Sequence, residues 1–104
     1  MEILLPNRLK EPSNPKGQFI TFEGGEGVGK TTQIDLLKSY LLSKDYNVIS
    51  TREPGGTTEG EIVRKSLVSG VKDKWDPFSE ALIFNALRRQ HINKVIIPSL
   101  NENK

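Results

Sequence analysis

The most informative segment of this 104-residue chain is "FEGGEGVGKTTQ", residues 22–33. Four of the six positions from 24 to 29 are glycine, and a lysine and two threonines follow directly. Glycine adopts backbone dihedral angles that other residues avoid, and it has no Cβ to keep a ligand away from the main chain. The stretch therefore predicts a loop with an accessible main chain, whose N–H groups point towards a bound ligand. The lysine ammonium and the two threonine hydroxyls would lie beside that ligand.

The segments on either side of the loop predict its structural context. "QFITFE" (18–23) is short, β-branched and aromatic, which predicts a buried strand, and "YNVIST" (46–51) predicts a second one. Between them, "KTTQIDLLKSYLLS" (30–43) carries apolar residues at helical spacing, namely Ile34, Leu37 and Leu41, with Leu36, Tyr40 and Leu42 widening the stripe. Strand, glycine loop, helix and strand predict the beginning of an α/β fold with a P-loop NTPase-type parallel sheet and flanking helices.

The rest of the chain predicts a loop and two more helices. "REPGGT" (52–57) is a loop by its proline and glycines, and "TEGEIVRKSLVSG" (58–70) predicts a short helix ending at Gly70. Asp76 is typical of an N-cap with Pro77 at the first helical position, and Pro98 discourages continuation of that helix beyond about residue 97. Residues 1–17 hold three prolines among polar residues, which predicts a flexible arm ahead of a domain over 18–104.

The loop itself satisfies the pattern G-x-x-x-x-G-K-[ST] at Gly24, Gly29, Lys30 and Thr31. The ammonium of Lys30 can reach β- and γ-phosphate oxygens, and the hydroxyl of Thr31 can ligate Mg²⁺. The alternative is a flexible glycine turn, and a dinucleotide G-x-G-x-x-G fails because Lys30 stands where its third glycine would fall. The motif predicts binding of a nucleoside triphosphate with Mg²⁺.

Residue types alone leave the second ligand open. Glu26 would repel phosphate unless it faces away, towards a group such as a sugar hydroxyl, and it is otherwise a solvated carboxylate. Arg52 and Glu53 follow the second predicted strand, at the edge of the sheet where ligands bind. Arg64 suits a second phosphate but is equally compatible with a surface charge.

One face of the last helix suggests a base-binding surface. Phe84, Arg88 and His91 share a face by their spacing, beside a stripe expected to meet the sheet, formed by Phe78, Ala81, Ile92 and Ile96. An aromatic ring with a nearby guanidinium suits a nucleobase, although residue types alone favour Phe84 as a core residue and Arg88 as a surface residue. For His91 we expect packing or helix capping, because no second metal ligand lies at a useful spacing.

Composition excludes several other classes. The net charge of +2 gives no argument for nucleic acid or for a membrane surface, and no apolar run approaches the roughly 20 residues of a membrane span. The absence of cysteine excludes disulfides and thiolate metal sites. With no signal-peptide pattern at the start, we expect a cytoplasmic protein.

Taken together, four stretches resemble the thymidylate kinase family: "FITFEGGEGVGKTTQ", "TREPGGT", "GEIVRKSLV" and "EALIFNALRRQHINKVIIPSL". The resemblance implies phosphorylation of dTMP to dTDP with MgATP, in a homodimer. It implies that Lys30 and Glu26 serve catalysis, that Thr31 holds the metal, and that ATP contacts Gly24, Gly25, Glu26, Gly27, Val28, Gly29, Lys30, Thr31 and Thr32. It also implies that dTMP contacts Arg52, Glu53, Arg64 on its phosphate, Phe84 by stacking and Arg88 through the base.

Gly27 follows Glu26, which resembles the members whose lid supplies the arginines. Two departures from the family pattern qualify the expectation: the chain ends before the family's Asp-Arg-Tyr segment and its lid, and Leu87 is apolar where relatives are often acidic. We therefore expect an amino-terminal portion that alone binds nucleotide weakly and transfers phosphate poorly. The competing hypotheses are a non-catalytic nucleotide-binding remnant, half of a split enzyme, another nucleoside monophosphate kinase and a nucleotide switch.

Overall fold

The computed structural model describes residues 17–70 and 74–104. They form two compact units. One contains the described residues up to Ser50 together with Ser99–Lys104, and the other is Thr51–Pro98. Apart from Gly17, the predicted flexible arm lies outside the described residues.

The first unit is built on helix α1 (Lys30–Ser43), which has the bounds predicted from the sequence. Gly29 is its N-cap residue and adopts a left-handed conformation with φ 89°, which a side chain would disfavour. Ile34, Leu37 and Leu41 are half-buried, whereas Leu36, Tyr40 and Leu42 are exposed. The narrow apolar stripe is confirmed, and its predicted widening is wrong.

The two predicted strands do not appear in the part of the chain that the structure describes. Residues 18–23 and 46–51 are irregular, and Phe19, Ile20, Phe22 and Ile49 are exposed rather than buried. A buried strand requires neighbours that complete its hydrogen-bond ladder and layers that cover both faces. The backbone of these segments makes other hydrogen bonds instead: Gln18 N–H donates to Lys104 O, far along the chain, at 3.1 Å, and Tyr46 N–H donates to Leu41 O, at the end of α1, at 3.1 Å. The α/β parallel sheet therefore remains a prediction, and the burial of these segments is wrong.

The second unit begins with the "REPGGT" loop and helix α2 (Thr58–Leu67). The Thr57 hydroxyl accepts from the N–H of Gly60 at 2.9 Å, so the helix starts where its capping residue predicts. It ends with Val68 as C-cap, two residues before the predicted end at Gly70. Gly70, with φ 74°, lies in the turn that follows.

Helix α3 (Pro77–His91) begins as predicted, with the Asp76 carboxylate accepting from the N–H of Ser79 at 2.9 Å and Pro77 at the first position. Helical backbone then continues through a π-helical turn, Ile92–Ile96, into helix α4 (Ile97–Asn101). In a regular helix Pro98 would deprive Lys94 O of its donor and press on that carbonyl. The wider turn directly before α4 puts Pro98 in a first helical turn, where its missing N–H costs little.

The buried residues of the second unit cluster around the carboxyl-terminal half of α3. They include the apolar side chains of Leu87, Ile92 and Ile96 and the polar ones of Thr57 and His91, and Gly55 and Gly60 are buried beside them. Burial of Ile92 and Ile96 agrees with the predicted stripe, but Phe78 is 74% exposed and Ala81 is exposed as well. The prediction relied on a sheet as the covering layer. In its absence, α2 and the "REPGGT" loop contribute the partners of α3, for example Glu59, which accepts from Gln90 Nε2 at 3.2 Å.

Across residues 17–70 and 74–104, no helix is both long enough and apolar enough to cross a bilayer.

Candidate phosphate loop and polar cluster

The glycine loop, residues 24–31 and named the phosphate loop here, is open on the side where a ligand would approach. Gly27 and Gly29 have φ 73° and 89°, in the region where an L side chain is strained. A Cβ built at Gly25, Gly27 or Gly29 would meet nothing within 4 Å. Glycine is therefore required at 27 and 29 by backbone conformation, and the main chain stays accessible.

The amino-terminal end of α1 offers donors to an anion. Gly29 makes no side-chain cap hydrogen bond, and the first turn of α1 holds no acidic residue. First-turn N–H groups carry the positive end of the helix dipole. The loop and the helix start together form an arrangement suited to phosphate oxygens, which is what the sequence predicts for Gly24, Gly25, Gly27, Gly29 and Lys30.

The ammonium of Lys30 is already directed into the loop. It donates to the carbonyl of Gly24 at 2.8 Å, which closes the loop on itself. Glu26, Val28, Thr31 and Thr32 are exposed. An exposed Thr31 hydroxyl one residue after Lys30 is compatible with a Mg²⁺ bound to triphosphate. Among the described residues, no group of three or more His, Cys, Asp or Glu forms a metal site of its own.

In the second unit, four side chains form a hydrogen-bonded chain, named the polar cluster here: Thr51, Glu53, Arg88 and His91. Arg88 Nε donates to Glu53 Oε2 at 2.9 Å, and His91 Nδ1 lies 3.1 Å from Glu53 Oε1. His91 Nε2 lies 2.6 Å from the hydroxyl oxygen of Thr51. The Glu53 side chain is 6% exposed and that of His91 is 1% exposed, so these charges and dipoles interact with little water between them.

The "REPGGT" loop is braced against α2 by two arginines. Arg52 forms a two-point pair with Glu61, with Nε to Oε1 at 3.2 Å and Nη2 to Oε2 at 2.7 Å. Arg64 Nη1 donates to the carbonyl of Pro54 at 2.8 Å, directly after a cis peptide bond between Glu53 and Pro54. Both guanidinium groups thus fix the loop. The expected role of Arg64 on the dTMP phosphate, and that of Arg52 in lining the dTMP site, stay predictions.

Glu61 also accepts from the backbone N–H of Gly56 at 3.1 Å. The hydrogen bond from Arg52, reinforced by that from Gly56, lowers the pKa of Glu61 from 4.5 to about 2. The same pairing raises the pKa of Arg52. The carboxylate is ionised over the whole physiological range and holds the loop in one arrangement.

Gly56 marks the closest approach between the loop and α3. Its φ is 83°, and a Cβ there would fall on the imidazole Cδ2 and Nε2 of His91 and 2.8 Å from Thr51 Oγ1.

Phe84 lies one turn before Arg88 on α3 and is half-buried. The structure brings Glu53 and Arg88 into direct contact.

Sequence reasoning missed two residues of this unit. Thr51 was assigned to a strand and Glu61 only to a helix, yet the first bonds His91 and the second clamps Arg52 and Gly56. Neither has a local signal, because their partners are distant in the chain or in a loop. The pairing of Glu53 with Arg88 was not predicted either, because nothing in the sequence indicates that the Glu53 carboxylate is buried and needs a partner.

A glycine-rich loop ending in Lys-Thr at the start of a helix is the phosphate-binding arrangement of P-loop nucleotide-binding proteins. The family model described as thymidylate kinase matches residues 22–104. The chain is 55% identical over 89 residues to a thymidylate kinase of Bartonella henselae, covering 85% of this chain and 41% of the relative. It is 51% identical over 85 residues to one from Caulobacter vibrioides, covering 82% of this chain and 41% of that protein.

Among solved structures, the thymidylate kinase of Ehrlichia chaffeensis is similar with a TM-score of 0.76 and 50% identity, covering 86% of this chain and 51% of that one. The chain therefore belongs to the thymidylate kinase family. It spans about two fifths of the length of the curated relatives it matches.

Proposed function

We propose that this chain serves the transfer of the γ-phosphoryl group of MgATP to the 5′-phosphate of dTMP, giving dTDP. The observation that carries the proposal is the presence, in one chain of this family, of both an open phosphate loop and a part-buried Glu53–Arg88 pair, one helical turn after Phe84 on α3. The loop suits the donor nucleotide, and the α3 face suits the acceptor base.

The donor half of the proposal follows from the phosphate loop. Bound MgATP would place its β- and γ-phosphates on the loop N–H groups, with Lys30 exchanging the Gly24 carbonyl for phosphate oxygens. A positive charge at the transferred group stabilises the negative charge that its oxygens carry in the transition state. Mg²⁺ neutralises further charge, and Thr31 is the side chain we assign to hold it.

The acceptor half follows from α3 and the "REPGGT" loop. The half-buried ring of Phe84 offers a stacking surface for thymine, and Arg88 donates to the base from a position that Glu53 fixes. We assign Arg64, with Arg52 and Glu53, to the dTMP phosphate and its surroundings, and Glu26 to the deoxyribose 3′-hydroxyl. The homodimer and the cytoplasmic location stay expectations of the family resemblance.

Ligand-induced stabilisation of the purified chain tests the proposal. We expect dTMP to raise the melting temperature, and AMP, CMP and GMP at the same concentration to leave it unchanged, because a ligand stabilises only a fold that binds it. MgATP is expected to raise it independently of dTMP. A folded chain that responds equally to all four monophosphates would contradict the assignment of the acceptor.

Phosphoryl transfer is measured separately, as dTMP-dependent ADP production. The assay uses the chain alone, and the chain mixed with the remaining segment of the Bartonella henselae relative. Activity in either sample supports dTMP kinase chemistry. Binding of MgATP with no ADP production in both samples would favour the alternative, a non-catalytic nucleotide-binding module.

A further inference from the structure

We propose that His91 is a positioning residue for base recognition: it holds the Glu53 carboxylate in the orientation that fixes the guanidinium plane of Arg88. The inference rests on the proposed function in one respect, namely that Arg88 meets the thymine base. The positioning itself rests on the geometry of the polar cluster.

Glu53 divides its two oxygens between two partners on α3. Oε2 accepts from Arg88 Nε at 2.9 Å and Oε1 is 3.1 Å from His91 Nδ1. Residues 88 and 91 are three apart on a helix and therefore lie on one face. A carboxylate gripped at both oxygens cannot rotate about its terminal bond without breaking one of the two contacts.

The hydrogen-bond pattern defines the role of the imidazole. An ionised carboxylate only accepts, so Nδ1 carries the hydrogen that Glu53 receives. In the neutral imidazole, Nε2 then accepts from the Thr51 hydroxyl, 2.6 Å away. Both ring nitrogens are thus satisfied in one tautomer, and the ring is fixed at both ends.

Packing prevents the imidazole from adopting another orientation. The His91 side chain is 1% exposed, and the ring lies against the α-carbon of Gly56, at a position where any Cβ would collide with it. A ring that is both packed and bonded transmits its orientation to Glu53. Glu53 in turn accepts the Arg88 Nε–H bond at 2.9 Å and so contributes to the orientation of the guanidinium plane.

Orientation matters because a guanidinium is a planar fork of donors. A base offers acceptors in its own plane, so a guanidinium that tilts loses directed hydrogen bonds even while its charge remains. Hydrogen bonds to charged groups contribute about 1.5–3 kcal/mol, so we expect at least a tenfold loss of dTMP affinity when Arg88 loses its fixed plane.

The test compares three substitutions in the full chain. The amide of His91→Asn places an N–H near the position of Nδ1, that of His91→Gln places one near Nε2, and His91→Leu provides neither. Two quantities are measured for each variant: the exchange rate of the Arg88 Nε–H signal by ¹⁵N NMR, assigned with Arg88→Lys, and the dissociation constant of dTMP.

We expect the unmodified chain and His91→Asn to keep a slowly exchanging Arg88 Nε–H signal and dTMP affinities within about threefold of each other. His91→Gln and His91→Leu are expected to lose the slow exchange and to bind dTMP at least tenfold more weakly. An unchanged Arg88 signal in folded His91→Gln would overturn the inference. If His91→Leu does not fold, the Asn and Gln variants decide, because they have similar polarity and differ in which ring nitrogen they replace.

The two proposals fail in distinguishable ways. An unmodified chain that does not bind dTMP contradicts the proposed function, while the Arg88 signal in the same set of variants still decides whether His91 positions the guanidinium. Normal dTMP binding by His91→Gln, with its Arg88 signal unchanged, contradicts the positioning role and leaves the proposed function standing.

Discussion

Arg52 and Glu61 form a two-point ion pair, with Nη2 and Oε2 2.7 Å apart, that ties the loop before α2 to the first turn of that helix. Because Glu61 also accepts from the N–H of Gly56, one carboxylate holds the loop at two points, the Arg52 side chain and the Gly56 backbone. The Glu61 side chain is 40% exposed, so water screens the pair, and its effect is on loop geometry more than on global stability.

This pair predicts a specific dependence on acid. The pKa of Glu61 in the folded chain is lowered from 4.5 to about 2, first by the hydrogen bond from Arg52 and then by that from Gly56. A lowered pKa stabilises the fold above the ordinary value, and this contribution is lost as the pH falls from 4.5 towards 2. In ¹³C NMR titrations we expect the Glu61 carboxyl to titrate near 2, and closer to 4.5 in Arg52→Gln. A midpoint near 4.5 in the unmodified chain would contradict the pairing.

Lys30 is expected to determine triphosphate affinity. Its ammonium lies in the phosphate loop at 2.8 Å from Gly24 O, and a charge-assisted bond of about 1.5–3 kcal/mol to phosphate corresponds to a tenfold to hundredfold loss of MgATP affinity in Lys30→Ala. Lys38→Ala is the matched control, because Lys38 lies on the same helix and bonds Ser50 at 3.4 Å instead. Calorimetric titration with MgATP measures both. Equal losses in the two variants would mean that the effect is one of net charge.

Phe84 is expected to contribute stacking, and α3 provides its own control. Base–aromatic stacking is worth about 1–3 kcal/mol, so Phe84→Ala should weaken dTMP binding by about fivefold to a hundredfold. Phe78 is on the same helix and is 74% exposed, and Phe78→Ala should leave the dissociation constant within about twofold. If both alanine variants bind dTMP like the unmodified chain, thymine does not stack on this helix.

Gly56 is expected to be intolerant of any side chain. Alanine at this position would have φ 83° and a Cβ on the His91 ring, so backbone strain and overpacking add. Gly70 has a similar φ of 74°, and a Cβ added there would meet nothing within 4 Å. Gly70→Ala should therefore introduce backbone strain without overpacking. We expect Gly56→Ala to lower the free energy of unfolding by about 1–3 kcal/mol more than Gly70→Ala. Urea denaturation of the two variants measures the difference.

How far the sequence predicts this structure depends on how local each signal is. The starts of α1, α2 and α3 are correct because their signals are local. Gly29 adopts the left-handed conformation before α1, and the Thr57 and Asp76 side chains accept from N–H groups three residues further on. The strands at 18–23 and 46–51 were predicted from composition, but a strand exists only when another segment completes its ladder. Composition cannot supply that partner.

The same difference between local and distant signals applies to the residues of the candidate site. The phosphate loop was predictable because its chemistry lies in eight consecutive residues whose glycines and lysine have local reasons to be there. The contact between Glu53 and Arg88 joins residues far apart in sequence, and Thr51 and Glu61 gave no pattern to detect. Distant hydrogen bonds between ordinary polar residues become visible only when the fold brings them together.

The imidazole of His91 occupies the space that a side chain at position 56 would need, so these two sites cannot change independently. In a library randomised at both, serine or asparagine at 56 should be recovered only with a smaller residue at 91. Pairs with an apolar residue at 91 would lose the hydrogen bond to Glu53, whereas pairs with Asn at 91 would keep it. A position without a side chain, Gly56, therefore limits which residues position 91 accepts.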